Sequence, residues 1–291
     1  MDIIKLKSFA TLAKKKSFSE TADLLYLSQP AISKHIQSLE DELGVSLFNR
    51  NRKNTTLTVH GQYFLPYASE IIRLSERSKE HLKQLEDINE GTLHFGATNF
   101  IGVYLMPELI KEFKSFYPDI NIDINISPSK ILFKKLENYE IEFAFVSHYV
   151  DLDDSKYSSL FYTKDHMTLI VASDHHLASK RSCRISDINN ETYISKESSS
   201  SLSKFIQNKF NLDSLNNNIV INNQEAIKQT VIEGMGISIM STKSVEVEIK
   251  AGLLKSIEIE GLDLDREIHL IYHKKFSLTP AAQAFFELLN L

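Results

Sequence analysis

The spacing of apolar residues changes along this 291-residue chain, and the change falls near Glu90–Gly91. Before that point apolar residues recur every three to four positions, which is typical of helices. Beyond it, short β-rich runs alternate with amphipathic helical segments, and in Ile120–Ile126 every second residue is isoleucine, the period of a strand. Strands that alternate with helices predict an α/β architecture beyond residue 90. The predicted strands are Leu93–Phe95, Ile120–Ile126, Phe143–Val146, Met167–Ala172, Thr192–Ser195, Ile219–Asn222, Ile237–Met240 and Ile268–Tyr272.

Composition places the chain among ordinary globular proteins, because 42% of its residues are hydrophobic and 24% are charged. No apolar run approaches the roughly 18 residues of a membrane span, so no membrane partner is expected. The single cysteine, Cys183, cannot form an intramolecular disulfide, which fits a reducing compartment. Met1–Asp2 opens no signal peptide. We therefore expect a cytoplasmic protein.

Charge is distributed unevenly between the two parts of the chain. The net charge of −5 argues mildly, by itself, against a nucleic-acid binder. Residues 1–60, however, carry nine lysines and arginines against six aspartates and glutamates, whereas the rest of the chain carries 24 against 32. The N-terminal end is therefore basic, and this asymmetry suggests that it has a different partner from the acidic remainder.

Three helices are predicted in the first 44 residues. The first spans about Ile3–Lys15. Phe18–Ser19 resembles a hydrophobic staple followed by an N-cap, which would start a short second helix ending near Leu25. Ser28 is suited to cap a third helix, and Gly44 is suited to end it.

The third helix is predicted to have a core face and a polar face. Apolar residues at spacings of four, three and four form a continuous stripe on one side. The other side carries short or amide side chains that can bond base edges and phosphates. Two short helices, a tight turn and a polar-faced third helix predict a helix-turn-helix, although three packed helices are more often plain structure. The stripe is Ile32, Ile36, Leu39 and Leu43, and the polar face is Gln29, Ser33, Lys34 and Gln37.

A two-stranded wing is predicted after these helices. The cationic segment Arg50–Asn54 lies between the apolar pair Leu47–Phe48 and Leu57, as the tip of a hairpin would. Cations at such a tip can reach phosphates or the minor groove beside the reading helix. The segment therefore adds a second set of candidate DNA contacts.

Several motifs in this region resemble the LysR-type transcriptional regulators. The resemblance implies a winged helix-turn-helix that reads an interrupted inverted repeat in double-stranded promoter DNA. His60 stands where that family commonly has alanine, and Arg52 replaces its usual small wing-tip residue. The matching motifs are Leu6-Lys7-Ser8-Phe9, Ser17-Phe18-Ser19, Leu27-Ser28-Gln29-Pro30-Ala31-Ile32-Ser33, Leu39-Glu40-Asp41-Glu42-Leu43-Gly44, Leu47-Phe48-Asn49-Arg50 and Leu57-Thr58-Val59-His60-Gly61. The residues that the resemblance places at DNA are Ser28, Gln29, Pro30, Ser33, Lys34 and Gln37 in the helix, with Arg50, Arg52 and Lys53 in the wing.

One long helix is predicted from Thr58 to about Ile88, interrupted by Pro66. Residues at a four–three spacing form a seam that a partner helix could fill, while packing against its own domain is the plainer explanation. The resemblance favours dimerisation, which also suits a palindromic operator. We expect a homodimer or homotetramer joined through Phe64, Ala68, Ile71, Leu82 and Leu85, within a seam that also includes Ser75 and Ser78.

The α/β part shows no enzymatic constellation. It contains no P-loop, no His-Glu-x-x-His and no Gly-x-Ser-x-Gly motif. A loose group of side chains, His166, His175, His176 and Cys183, fits no metal-ligand spacing. We therefore expect neither an enzyme nor a metal site, and no cofactor.

The same part resembles the effector domain of LysR-type regulators, which is similar to a periplasmic solute-binding protein. The resemblance implies two lobes with a small-molecule effector between them, and it also allows RNA polymerase as a partner. The matching segments are Gly96-Ala97-Thr98-Asn99-Phe100-Ile101, Leu105-Met106-Pro107, Tyr139-Glu140-Ile141-Glu142-Phe143-Ala144-Phe145, Asn222-Asn223-Gln224-Glu225-Ala226-Ile227 and Glu233-Gly234-Met235-Gly236-Ile237.

Polar residues precede three predicted helices of the effector domain. Thr98–Phe100, Ser127–Ser129 and Ser198–Ser201 would place hydroxyls and free N–H groups at helix N-termini, which favour anions. With little fixed positive charge, such a cleft suits a small carboxylate or oxyanion; simple N-capping explains any single residue about equally well. The assigned effector residues are Thr98, Asn99, Phe100, Ser129, Ser147, Ser199, Ser200 and Gln224.

The sequence thus predicts a multi-domain α/β protein with an N-terminal winged helix-turn-helix, a long linker helix and a two-lobed, periplasmic-binding-protein-like effector domain. Its predicted function is sequence-specific transcriptional regulation under a small, anionic effector. The alternatives are a solute-binding receptor, disfavoured by the DNA-reading motif and the missing signal peptide, and an enzyme. The expected limits are 1–58 for the DNA-binding domain, 59–89 for the linker helix and 90–291 for the effector domain, with lobe one at 91–161 and 267–291 and lobe two at 162–266.

Overall fold

The computed structural model describes residues 1–49, 55–86, 88, 91–147, 152–209, 217–275 and 277–291. It also describes the side chains in these ranges, with the exception of residues 217 and 218. The chain divides into two compact units. The first consists of Met1–Gly91 with Asn138–Glu140, and the second of Thr92–Glu137 with Ile141–Leu291. Among the described helices, none combines the length and the apolar character that a membrane span requires.

The first unit holds helices whose starts are fixed by side-chain caps. The Asp2 carboxylate accepts a hydrogen bond from the N–H of Ile4, and the Ser28 hydroxyl accepts one from the N–H of Ala31 at 3.3 Å. The prediction that Ser19 caps the second helix is wrong, because the Ser17 hydroxyl does so by accepting from the N–H three residues ahead. The elements are α1 (Ile3–Lys15), α2 (Phe18–Leu24), α3 (Gln29–Leu43), β1 (Phe48–Asn49), β2 (Thr56–Leu57) and α4 (Val59–Glu86).

The core of the first unit lies between α1, α3 and the start of α4. The ring of Phe9, which is fully buried, contacts Phe48 and Phe64 with ring centroids 5.5 and 5.4 Å away. A buried serine contacts a half-buried histidine there: the Ser8 hydroxyl donates to the carbonyl of Ile4, so the 2.8 Å contact with His35 Nδ1 requires the ring N–H to donate. Buried polar groups are thus hydrogen-bonded inside an otherwise apolar core.

The base of the wing is held by α3 and α4. Oε1 of Glu40 accepts hydrogen bonds from the N–H groups of Leu47 and Phe48, at 2.6 and 3.1 Å, and so orients the chain as it enters β1. Gly61 lies so close that a Cβ atom there would be 2.2 Å from the carbonyl oxygen of Leu47. β1 pairs antiparallel with β2, as the predicted hairpin requires. The predicted wing contacts Arg50, Arg52 and Lys53 lie outside the described residues.

The second unit is an α/β fold built on one branched sheet and a smaller parallel pair. The sheet runs in the order β4-β3-β5-β12-β6-β11-β7, and β10 also pairs with β6. Its elements are β3 (Thr92–Ala97), α5 (Asn99–Tyr104), α6 (Met106–Phe116), β4 (Asn121–Ile126), α7 (Ser129–Glu137), β5 (Phe143–Ser147), β6 (Tyr157–Ala172), β7 (Ser182–Cys183), α8 (Ile185–Ile188), β8 (Thr192–Ser195), α9 (Ser201–Lys209), β9 (Asn217–Val220), α10 (Gln224–Ile232), β10 (Ser238–Ser241), α11 (Thr242–Lys250), β11 (Leu254–Ile259), β12 (Asp265–His273) and α12 (Pro280–Leu288).

The strand β6 joins the two lobes of this unit. Its first part, to His166, pairs with β12, and its second part, from Met167, pairs with β10. Lobe one therefore packs around β3, β5 and the first part of β6, where the buried rings of Phe95, Phe143 and Phe285 lie 5.1 to 5.5 Å apart. Lobe two has a separate aliphatic core around the second part of β6. The lobe limits given above stay a prediction.

The predicted strands agree with the structure in position, with three differences, the first of which is that the short strand β7 was not expected. Only the second part of β6 was expected, because its first part mixes polar and apolar residues and gains stability by pairing with β12. β11 was not expected at all. It pairs with β6 across Leu254–Ile257, so its partner is remote in sequence and leaves no local pattern.

Candidate functional site

The predicted reading face of α3 is exposed. Its core stripe is turned inward, with Ile32, Ile36 and Leu39 buried. The Ser28 hydroxyl caps the helix, so it is already engaged in a structural hydrogen bond. The side chains that the sequence assigned to DNA and that the structure describes are all exposed: Ser28, Gln29, Pro30, Ser33, Lys34 and Gln37.

The helix α4 differs from the predicted dimer seam. Ala68 is fully buried within its own unit, and Phe64 and Ile71 pack partly against the same core. The assignment of these three residues to a dimer seam is therefore corrected, because the core of their own unit covers them. Leu82 and Leu85, by contrast, remain 64% and 65% exposed.

Exposed apolar residues do recur along α4, and they include the two exposed members of the predicted seam, Leu82 and Leu85. All of them except Leu82 lie more than a quarter turn around the helix axis from the buried Ala68. Large apolar side chains at such a density on one exposed face are typical of an interface. The stripe consists of Val59, Tyr63, Tyr67, Leu74, Leu82 and Leu85, and we call it the α4 stripe.

A cavity of 540 Å³ lies between the two lobes of the second unit. Its volume falls in the range of small-molecule sites. Seven of the eight assigned effector residues line it: Thr98, Asn99, Phe100, Ser129, Ser199, Ser200 and Gln224. The further lining residues are Ile126, Ser127, Pro128, Lys130, Ile131, Met167, Lys196, Glu197, Ser201, Leu202, Asn222, Asn223, Ser241 and Arg266.

The assignment of Ser147 to this cavity is wrong. The residue ends β5, is 3% exposed and pairs with Ile268 of β12. Its hydroxyl is buried without a hydrogen-bond partner among the described residues, but it does not line the cavity. The end of a buried strand is a common place for ligand groups, and here the neighbouring strand covers it.

Five helices begin at the cavity, two more than the sequence indicated. Thr98 precedes α5 and makes no capping hydrogen bond to it through its side chain, whereas the Ser200 hydroxyl caps α9 by accepting from the N–H of Ser203. Asn223 caps α10 in the same way, and Ser241 precedes α11. Together with the start of α7 at Ser129, these ends direct N–H groups and the positive ends of helix dipoles toward one space, which favours a negatively charged ligand.

The cavity carries more fixed charge than the sequence indicated. Lys130, Lys196 and Arg266 line it, together with Glu197. Burial lowers the pKa of Lys196, and the charge of Glu197 opposes that shift. The expectation of little positive charge is therefore corrected, since these cations come from the first turn of α7, from a loop and from β12, and no local motif marks them.

A buried ion pair lies beside the cavity, where the crossing strands meet. Arg266 on β12 and Asp165 on β6 are register partners, and Nε donates to Oδ2 at 2.7 Å. The Ser241 hydroxyl donates to the other carboxylate oxygen at 2.6 Å. The guanidinium carbon of Arg266 lies 4.6 Å from the ring centre of Phe100, within cation–π range.

A second polar network joins the lobes near the same place. The Tyr104 hydroxyl at the end of α5 donates to the carboxylate of Glu225 on α10. The buried Lys228 ammonium lies 2.9 Å from Glu225 and 2.7 Å from Glu248 on α11. Burial alone would raise the pKa of the Glu225 carboxyl, but the hydrogen bonds from Tyr104 and Lys228 hold it below its usual value. We call these four residues the interlobe network.

The predicted histidine group is not brought together as a whole. His166 instead hydrogen-bonds Asp265 and Glu258, and these bonds raise its pKa. His175 and His176 do converge with Glu191, and their Nε2 atoms lie 3.4 and 3.5 Å from its two oxygens.

These three residues have the ligand types of a metal centre, but one contact opposes that role. The N–H of Leu177 donates to Nδ1 of His175, so the neutral ring carries its proton on Nε2. That proton is directed at the carboxylate and occupies the position that a metal would need. The cluster fits a hydrogen bond from histidine to a carboxylate better than a metal site.

Two family models together match almost the whole chain. The model described as "Bacterial regulatory helix-turn-helix protein, lysR family" matches residues 3–62, and the "LysR substrate binding domain" matches residues 87–290. A probable RuBisCO transcriptional regulator from Phaeodactylum tricornutum is 32% identical over 286 residues, covering 96% of this chain and 93% of that protein.

Solved structures show the same fold at lower identity. Full-length CbnR complexed with its target DNA matches with a TM-score of 0.74 and 20% identity, over 100% of this chain and 99% of that one. The regulatory domain of CcmR from Synechocystis PCC6803 in complex with 2-PG matches with a TM-score of 0.61 and 24% identity, over 69% of this chain and 96% of that one.

These findings confirm the winged helix-turn-helix and the two-lobed α/β effector domain predicted from the sequence. The family and the relatives it includes are transcriptional regulators and not enzymes. The chain belongs to the LysR family of transcriptional regulators.

Proposed function

We propose that this regulator binds promoter DNA through α3 and is controlled by a small acidic effector held between the lobes. The observation that carries the effector part is the convergence of five helix N-termini on one cavity, beside Lys130, Lys196 and Arg266. Oriented N–H groups and cations stabilise an anion far better than a neutral solute.

The class of effector is supported by the size and polarity of the cavity. Its 540 Å³ suits a compound of metabolite size, and its hydroxyl and amide side chains can accept or donate hydrogen bonds around the acid group. CcmR, which shares the fold, binds 2-PG in its solved complex. We infer that a small carboxylic or phosphorylated acid is the effector class.

The DNA part is supported by the exposed amide and hydroxyl groups of α3. Gln29 and Gln37 can form paired hydrogen bonds with a base edge, and Lys34 can reach a phosphate. CbnR, which shares the fold, is solved with its target DNA. We propose that the predicted wing residues add contacts to the DNA backbone.

A two-fold assembly through the α4 stripe completes the proposal. Tyr63, Tyr67 and Leu74 are exposed along the same face as Leu85, and Leu82 is exposed at the edge of that face, so a second copy of α4 can cover them. A homodimer of this kind presents two reading helices to an inverted repeat. Dimers can assemble further into tetramers.

The effector part is tested by calorimetric titration of the full chain with a panel of compounds. The panel contains 2-phosphoglycolate, glycolate, inorganic phosphate and the neutral glycolamide. We expect at least one acid to bind and glycolamide not to bind. Binding of glycolamide as tightly as glycolate would contradict the proposal, as would the absence of binding by every acid.

A further inference from the structure

Arg266 is held in an unusual position between the lobes. Its side chain is 6% exposed and that of its partner Asp165 is 3% exposed. The pair is anchored from both sides, because Ser241 of lobe two occupies the second carboxylate oxygen and Phe100 of lobe one lies against the guanidinium. The position of Arg266 is therefore defined by contacts with both lobes.

Only part of the hydrogen-bonding capacity of Arg266 is used. A guanidinium has five N–H donors, and the bond from Nε to Asp165 uses one of them. Among the described residues, the terminal nitrogens Nη1 and Nη2 have no hydrogen-bond acceptor, although the residue lines the cavity. Buried polar groups normally have partners, so these donors are available to a ligand.

The geometry of these donors favours an acid group over a neutral one. Two guanidinium nitrogens form parallel hydrogen bonds with two oxygens of a carboxylate or a phosphate. Asp165 balances the charge of Arg266 and Glu197 balances a second cation, so the three cations of the lining leave one positive charge over. The helix N-termini add to that excess.

We propose that Arg266 is the residue that selects the effector by its acid group, through a two-pronged hydrogen bond from Nη1 and Nη2. This inference rests on the proposed effector function and deepens it. A neutral analogue leaves these donors without an acceptor inside a buried site, which is the most effective way for a site to reject a compound. Because Arg266 contacts elements of both lobes, the bound acid group also lies at the place where the lobes meet.

The test compares variants of the full chain by calorimetric titration with the acids of the panel. Arg266→Lys keeps the positive charge but loses the fork, and we expect the affinity for the acid that binds wild type to fall about 10- to 100-fold. The double variant Asp165→Asn with Arg266→Gln removes both charges, so no buried carboxylate is left alone, and we expect the same loss. Arg181→Gln, on the exposed surface of lobe two, is the matched control and is expected to leave the affinity within about twofold.

The readouts separate a binding role from a structural one. Thermal unfolding without ligand reports whether each variant folds, and titration with glycolamide reports whether a variant has lost the preference for acids. If both Arg266→Lys and the double variant bind the acids as tightly as wild type, the proposed role of Arg266 is wrong, while the proposed effector function is unaffected. If no acid binds the wild-type chain, the proposed effector function and the role of Arg266 are both wrong.

Discussion

At the scale of single residues, α3 and the cavity lining each contain two kinds of side chain: some form hydrogen bonds that hold a helix, and others are available to contact DNA or an effector. The hydroxyls of Ser28 and Ser200 cap helices by accepting hydrogen bonds from backbone N–H groups, so removing these hydroxyls should lower the stability of the fold. Gln29 and Lys34 are exposed on α3 and are candidate DNA contacts. Lys196 lines the cavity and is a candidate effector contact.

Gln29 and Lys34 should affect DNA binding in different ways. Gln29→Ala is expected to reduce discrimination between operator and random DNA by about 1–3 kcal/mol, because a paired contact with a base edge is lost. Lys34→Ala should weaken binding to both DNAs and reduce the salt dependence, since it removes a phosphate contact. Anisotropy titrations on both duplexes measure this, with exposed Lys14→Ala as control. Equal effects of both variants on both DNAs would contradict the division.

Effector binding should depend on pH through Lys196. Burial places the pKa of this lysine below the usual lysine value, so the free cavity loses a positive charge as the pH rises through that lowered pKa. An acid prefers the charged form, so its affinity should be full at lower pH and fall across that range. Titrations at several pH values should show that the affinity of wild type for the acid falls with rising pH, and that the affinity of Lys196→Gln does not. A slope retained in the variant would refute the assignment.

At the scale of elements, α4 and α5 each have one side packed in their own unit and another side available for a wider contact. In α4 the buried side includes Ala68, whereas the α4 stripe is exposed. In α5 the first residues face the cavity, whereas Tyr104 at its other end binds α10. Each helix can therefore transmit a change between two partners.

The α4 stripe predicts a specific change in assembly. Leu82→Glu combined with Leu85→Glu places charges on an exposed apolar face, so a dimer formed there should dissociate to monomers while each monomer stays folded. Light scattering after gel filtration measures the mass. Lys83→Glu, an exposed residue on another side of the same helix, is the control. A dimer mass retained in the double variant would exclude the stripe as the interface.

The interlobe network predicts a modest coupling to effector binding. Tyr104→Phe removes the hydrogen bond to Glu225 while keeping the ring over the Lys228 ammonium, 5.6 Å away. Hydrogen bonds to charged groups are worth about 1.5–3 kcal/mol when buried and less here, since Glu225 is exposed. We expect acid affinity to fall by about two- to tenfold, measured by calorimetry. Tyr26→Phe, at a side chain that is 95% exposed in the first unit, is the control. An unchanged affinity in Tyr104→Phe would contradict a role of the interlobe network in effector binding.

At the scale of the whole molecule, local patterns in the sequence predicted most of the fold and part of the site. Caps and helical spacing define α1 to α4, and polar residues before helices indicated most of the cavity wall, because both are short-range features. Arg266 and Asp165 were missed because a pair formed 101 residues apart leaves no local pattern. Ser147 was wrongly assigned to the cavity for a related reason: it pairs with Ile268 of β12, which is remote in sequence, and it is buried there.

The division of charge also acts at this scale. The basic first sixty residues and the acidic remainder have opposite preferences for phosphate, so the chain should approach DNA with its reading end first. That orientation needs no contact beyond those of α3 and the wing.

The most direct test of the account is the binding of the full chain to the DNA upstream of its own coding region. Fluorescence anisotropy at moderate salt compares a labelled upstream duplex with a scrambled duplex of the same length and composition. A regulator of this family should bind the upstream duplex at least about 10³-fold more tightly, and adding the acid that binds the cavity should change that binding. Equal affinity for the two duplexes, with no response to any acid, would contradict the account.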